Sequence, residues 1–203
     1  MLLPPTRPRA VVFVVVTQLL TVLPFLLSII VVWTFGADAQ VAAEAELTRQ
    51  GLPASLLAEH AVSFGSNTAE TPLPAAIIAV LVVLALLNLT GRRAGQVLSW
   101  VFHPLLAVAG ALIVPAQLFT ASFLAASFRD SGDPVLGQVD VPKLVEAARA
   151  AMPSWLSVVD GAKLVLTTAG SLLVIVLLAL PASRAFFRVR RRINPASSSE
   201  SAA

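Results

Sequence analysis

Residues 10–35 read AVVFVVVTQLLTVLPFLLSIIVVWTF, without a charge from Ala10 to Phe35. Bilayer hydrocarbon is about 30 Å thick, so a helix rising ~1.5 Å per residue needs about 20 apolar residues to cross it. This run is long enough, and Arg7 and Arg9 stand on one side of it only. Three more such stretches follow: about 73–90, with the string IIAVLVVLALL; about 97–121; and about 163–182. The fold class is therefore all-α: a four-helix transmembrane bundle. The 57% hydrophobic and 12% charged composition excludes an ordinary soluble domain.

The intervening segments complete the plan. Residues 1–9 form a proline-bearing cytoplasmic lead. A first span–loop–span half covers 10–90, with spans at about 10–34 and 73–90 and an outer loop over 36–72. Residues 91–96 form a cytoplasmic Arg-Arg turn, too short to join anything but an antiparallel helical hairpin. A second half covers 97–187, with an outer loop over 122–162. A basic, then disordered, cytoplasmic tail covers 188–203. In the first loop Asp38 caps a helix ending near Gln50-Gly51, and Leu52-Pro53 opens another; in the second, a helix runs from about Val141 to Met152. These loop helices predict a small extracytoplasmic cap.

Charge gives the orientation. The segments assigned to the inner side hold Arg7, Arg9, Arg92, Arg93, Arg184, Arg188, Arg190, Arg191 and Arg192 against Glu200, a net +8. The outer loops hold ten carboxylates against Arg49, Arg129, Lys143, Arg149 and Lys163, a net −5, and the two make up the chain's +3. The positive-inside rule then predicts a multi-pass protein of the cytoplasmic membrane with both termini inside. The high pI of about 10.6 encodes this orientation rather than nucleic-acid binding. Ala, Val, Leu and Arg usage with only two lysines suggests a bacterial, GC-rich source. A signal-peptide reading of Arg7 through Ala37-Asp38-Ala39 fits less well, because the apolar run exceeds the 7–15 residues of a signal core.

The two outer loops share one string. Val41, Glu46, Arg49, Leu52, Pro53 and Leu56 are matched at the same spacing by Val141, Glu146, Arg149, Met152, Pro153 and Leu156, with methionine in place of leucine at one position. Glu and Arg at i and i+3 share a helix face and can pair. A duplication would relate the halves by a pseudo-twofold axis along the membrane normal; chance is the competing explanation, because apolar matches are common in such a chain.

Chemistry is sparse. There is no cysteine, which removes membrane thiol oxidoreductases and thiolate metal sites. No carboxylate, lysine or arginine falls inside the span cores as drawn, against the habit of proton-coupled exporters. Two histidines, His60 in a loop and His103 in span three, cannot supply paired haem ligands. Asp130-x-x-Asp133 lacks the alternation of a calcium loop and reads as a solvated face. No hydrolase elbow, phosphate loop or metalloprotease motif occurs. Neither enzyme activity nor a cofactor or metal is expected.

Polar residues within the spans, Thr17, Gln18, Thr21, His103 and Gln117, are candidates for helix contacts or for a cavity between the proline-bearing first and third spans. Arg184, Arg188, Arg190, Arg191 and Arg192, beside Phe186 and Phe187, are candidate contacts to anionic lipid headgroups. The leading reading is a non-catalytic accessory or scaffold subunit of a bacterial membrane or envelope assembly, with a membrane-protein partner or self-association. The alternative is a small transporter or lipid-handling protein.

Overall fold

The computed structural model describes residues 8–65 and 71–193, with 189–193 by backbone alone. The expected lead before residue 8 and the tail from 194 lie outside the described residues, as do the side chains of Arg190, Arg191 and Arg192. The chain is all-helical, with no strand among the described residues. Four helical stretches, Arg9–Arg49, Pro72–Leu89, Arg93–Leu118 and Leu156–Ala179, are long and apolar enough to cross a membrane.

The first of these, α1 (Arg9–Arg49), is longer than expected. The sequence suggested a span ending near residue 34 and a new helix capped by Asp38, but the backbone stays helical throughout, and Asp38 lies mid-helix. The segment after Trp33 is rich in Ala and Glu, which are strong helix formers. Gln40 also donates to Glu44 one turn on, at 2.8 Å. Ala39, Ala43 and Leu47, spaced by four, are fully buried, so tertiary packing holds this extension. The helix ends where expected. Gly51 has φ +77°, and Leu52 N–H and Gly51 N–H return to the carbonyls of Leu47 and Thr48.

Then follow α2 (Leu56–Glu59), α3 (Pro72–Leu89), α4 (Arg93–Leu118), α5 (Thr120–Asp130), a 3-10 turn at Leu136–Gln138 and α6 (Val141–Ala150). Helix α7 (Leu156–Val165) runs through a π-helical turn, Leu166–Gly170, into α8 (Ser171–Ala179), and α9 (Pro181–Ile193) closes the described chain. The link between α3 and α4 is as short as expected. Gly91, at φ +70°, lets Arg92 and Gly91 N–H close on the Leu87 and Asn88 carbonyls, and only glycine adopts this backbone without strain.

These elements form two compact units. The first contains, among described residues, 8–23, 77–111 and 163–193. Val11 and Val14 of α1, Val174 and Leu178 of α8, and Phe186 and Phe187 of α9 form one of its buried clusters. Leu180 is extended, as a residue before proline prefers, and this separates α8 from α9. The carbonyls left at the α8 end are taken up by Ser183 Oγ, donating to Leu177 at 2.7 Å, and Gln96 Nε2, donating to Leu178 at 3.0 Å. The start of the stretch read as a basic tail, from residue 188, is thus helical through Ile193 as part of α9. The two phenylalanines of α9, Phe186 and Phe187, are buried, and Arg184 and Arg188 are exposed.

The second unit contains residues 24–76 and 112–162, apart from 66–70. Its core joins Ala39, Ala43 and Leu47 of α1, Leu56 and Leu57 of α2, Phe128 of α5, Leu136, and Val141, Leu144, Val145 and Ala148 of α6. The segments read as two loops therefore share one apolar core. Polar side chains join them as well. Gln50 Oε1 accepts from Asp140 N–H at 2.8 Å, and its Nε2 donates to the Asp140 carbonyl at 3.3 Å and to Glu46 at 3.0 Å. Gln40 Oε1 accepts from Phe64 N–H at 2.9 Å, and His60 Nε2 lies 3.4 Å from Asp133 Oδ2. Asp140 caps α6 by accepting from Lys143 N–H. The Lys143 side chain, hydrogen-bonded to it at 2.8 Å, holds the Asp140 carboxyl below its ordinary pKa. The benefit is present above the ordinary carboxylate range and is lost as pH falls through the depressed value.

Gln50→Ala removes all three Gln50 bonds and is expected to cost about 1–2 kcal/mol. Hydrogen exchange at the Asp140 amide should quicken about tenfold; an unchanged rate would mean that the α1 end and the α6 cap are held by apolar packing alone.

Candidate functional site

The first unit buries more polar side chains than its sequence advertises. Gln18 of α1, Asn88 of α3 and Ser99 of α4 are all fully buried and bonded to one another. Asn88 Nδ2 donates to Ser99 Oγ at 2.9 Å and to Gln18 Oε1 at 3.2 Å, and Gln18 Nε2 donates to Ser99 Oγ at 3.2 Å. Three helices are thereby tied at one level. Asn88 Oδ1 and, on α8, Ser171 Oγ have no hydrogen-bond partner among the described residues.

His103, also buried, sits one turn beyond Ser99. Its Nδ1 is 3.0 Å from the Ser99 carbonyl of its own helix, and a carbonyl accepts only, so Nδ1 carries the proton. Phe102 meets the ring edge-on at 5.9 Å. Thr21 donates to the Thr17 carbonyl one turn back at 2.8 Å. Thr17 is half-buried, and its methyl group faces Gly170 of the π turn.

Of the five expected cavity residues, Thr17, Gln18, Thr21 and His103 belong to the first unit, but Gln117 does not. It is exposed in the second unit, and its carbonyl accepts from Arg149 at 3.2 Å. Asn88 and Ser99 were missed because each stands a few residues from Arg92-Arg93, where polar residues read as the edge of a turn. Lys163 is a second correction. Counted with the outer loop from sequence, it is buried in the first unit, 5% exposed, on the helical stretch that crosses Asp160 and continues into α8.

Asn88→Ala removes two inter-helix bonds and is expected to cost about 1–2 kcal/mol, near the upper end for hydrogen bonds between membrane helices. Unfolding in mixed micelles measures it; a change below about 0.5 kcal/mol would mean that the cluster is incidental to helix association.

The repeated string does not yield matched environments. Glu46 is buried, its side chain 6% exposed, and forms an ion pair with Arg49. Glu146 is exposed, and Arg149 turns instead to the Gln117 and Leu118 carbonyls, the latter at 3.1 Å. Val41 is 65% exposed, while Val141 is buried. Pro53 stands just before the one-turn α2 and Pro153 just before the long stretch Leu156–Ala179, and the preceding helices bury different faces in the matched register.

Of the five expected lipid contacts, Arg184 and Arg188 line a groove of about 650 Å³ in the first unit, together with Phe187 of α9 and Arg93, Gln96, Val97 and Trp100 of α4. The Arg184 guanidinium lies over the Trp100 ring, 5.7 Å from its centre, a cation–π contact that fixes the charge at the groove wall. Compared with known proteins, the chain matches no protein family, no curated protein and no solved structure.

Proposed function

We propose that the chain is a multi-pass protein of a bacterial cytoplasmic membrane, with both termini inside, acting as a non-catalytic accessory or scaffold subunit. Division of charge between the two units supports the topology. The described part of the first unit contains Arg9, Arg92, Arg93, Lys163, Arg184, Arg188, Arg190, Arg191 and Arg192 and no carboxylate, whereas that of the second sets Asp38, Glu44, Glu46, Glu59, Asp130, Asp133, Asp140, Glu146 and Asp160 against Arg49, Arg129, Lys143 and Arg149. Placing the arginines of the α3–α4 turn and of α9 at the cytoplasmic face satisfies the positive-inside rule, and the carboxylate-bearing loop helices α2 and α6 then belong to an extracytoplasmic cap.

The observation that carries the accessory reading is the Gln18–Asn88–Ser99 cluster. Polar groups at membrane depth usually serve a substrate path or helix association. Here the Gln18, Asn88 and Ser99 side chains bond to one another across three helices, and Gln117, expected to line a path between the first and third spans, is exposed. That pattern favours a packed interior over a small transporter.

Purification in a mild detergent followed by quantitative mass spectrometry tests the role. A second membrane protein, or a second copy, at near-stoichiometric amount is expected. A chain recovered alone, with solute flux in proteoliposomes, would replace this reading with transport.

A further inference from the structure

The groove between α4 and α9 has the chemistry of a phosphate site open to lipid. We propose that it binds the headgroup of one anionic phospholipid, with Arg93, Arg184 and Arg188 on the phosphate and an acyl chain along α4. The inference rests on the chain being membrane-embedded and not on its being an accessory subunit.

Charge is the first argument. Three arginines line one groove, and the described part of their unit contains no aspartate or glutamate to neutralise them. Guanidinium groups bind phosphate through paired N–H donors in a fixed fork, which a flexible ammonium does not reproduce. Arg184 is held over Trp100, so less side-chain freedom is lost when it binds. Gln96 is fixed too, its amide nitrogen donating to the Leu178 carbonyl, which orients the wall between α4 and α8.

Shape is the second argument, and it separates a lipid from a soluble phosphate. The groove floor is apolar at Val97, Trp100 and Phe187. From Val97 an exposed apolar ridge runs along α4 through Val101 and Leu105 to Val108, at spacings of four, four and three, with exposures of 51%, 59%, 64% and 60%. Residues so spaced lie on one helix face. A free anion has no use for that ridge, whereas a lipid phosphate seated among the arginines would lay a hydrocarbon chain along it. Phe186 and Phe187, packed against α1 and α8, anchor α9 and keep its two arginines at the groove. This arrangement goes beyond the general attraction of basic residues to an anionic surface, because it specifies one lipid in one place.

Native mass spectrometry of the full chain in detergent tests it, with phosphatidylglycerol and phosphatidylcholine of identical acyl chains added in equal amounts. The first bound phosphatidylglycerol should be retained at least tenfold over phosphatidylcholine. That preference should vanish in R93Q/R184Q/R188Q, fall in R184K/R188K, and persist in R9Q/R92Q, which removes exposed arginines outside the groove. Equal retention of the two lipids by the wild-type chain would overturn the proposal without recourse to any variant. Equal loss in R9Q/R92Q would overturn it in favour of diffuse attraction. Displacement of the lipid by millimolar inorganic phosphate would show a site for free anions instead. Resistance of the chain to alkaline extraction from membranes tests the membrane reading separately.

Discussion

Gly110→Ala is expected to destabilise the first unit by about 3 kcal/mol, at the upper end for overpacking. A methyl group placed there would lie 2.6 Å from Thr167 Cβ and press on Thr167 Oγ1. Thr167 cannot turn away cheaply: its hydroxyl is held at 2.7 Å from the Lys163 carbonyl and 3.2 Å from that of Leu164. It also stands in the π turn, whose extra residue sets the azimuth of everything from Leu166 to Gly170. α4 can approach this turn only because residue 110 has no side chain, which is how small residues serve membrane helices generally. Unfolding in mixed micelles, followed through tryptophan fluorescence, measures the loss. Thr167→Gly alone should cost about 1–2 kcal/mol, from the lost buried side chain together with helix propensity. Combined with Gly110→Ala it should cost less than the sum of the two, because the clash is gone. Strict additivity would mean that the two residues do not meet.

Leu144→Ala should have an effect of similar size in the second unit, about 2–5 kcal/mol. Leu144 is fully buried among Ala43 and Leu47 of α1 and Phe128 of α5, so truncation leaves a cavity in the core that joins the two segments. Arg129, Lys143 and Arg149 flank or lie on α6 and its approach, and all are exposed. Limited trypsin digestion at these positions should therefore quicken by about a hundredfold for a loss near 3 kcal/mol, if cleavage follows local opening. Val41→Ala, on an exposed face of α1, should change stability by less than about 0.5 kcal/mol. Unchanged digestion of Leu144→Ala would mean that the segments fold without a common core.

The four apolar helices were legible because length and hydropathy suffice to find a span, and no tertiary partner is needed to see it. What tertiary packing decides was not legible. The extension of α1 past Trp33 depends on Ala39, Ala43 and Leu47 having a core to enter, and the sequence shows only the alanine-rich spacing. The sharing of one string by Glu46–Pro53 and Glu146–Pro153 gave no warning that the matched faces would differ, since a helix turned by one residue rotates its buried face by about 100°. Gln18 was identified as a contact residue, but its partners Asn88 and Ser99 were not, because proximity to an arginine pair looks the same in a loop and in a buried cluster. Arg184 and Arg188 were recognised by charge alone; the groove needed Trp100 and Arg93 from another helix.

The absence of native cysteine offers a direct test of the central claim, four spans with both ends inside. Single cysteines placed by Ser55→Cys and Ser131→Cys in the second unit, and by Thr90→Cys in the turn between α3 and α4, occupy exposed positions. A membrane-impermeant maleimide added to intact cells should label positions 55 and 131 and reach 90 only after the membrane is opened. Labelling of position 90 in intact cells, or protection of 55 and 131, would contradict the account.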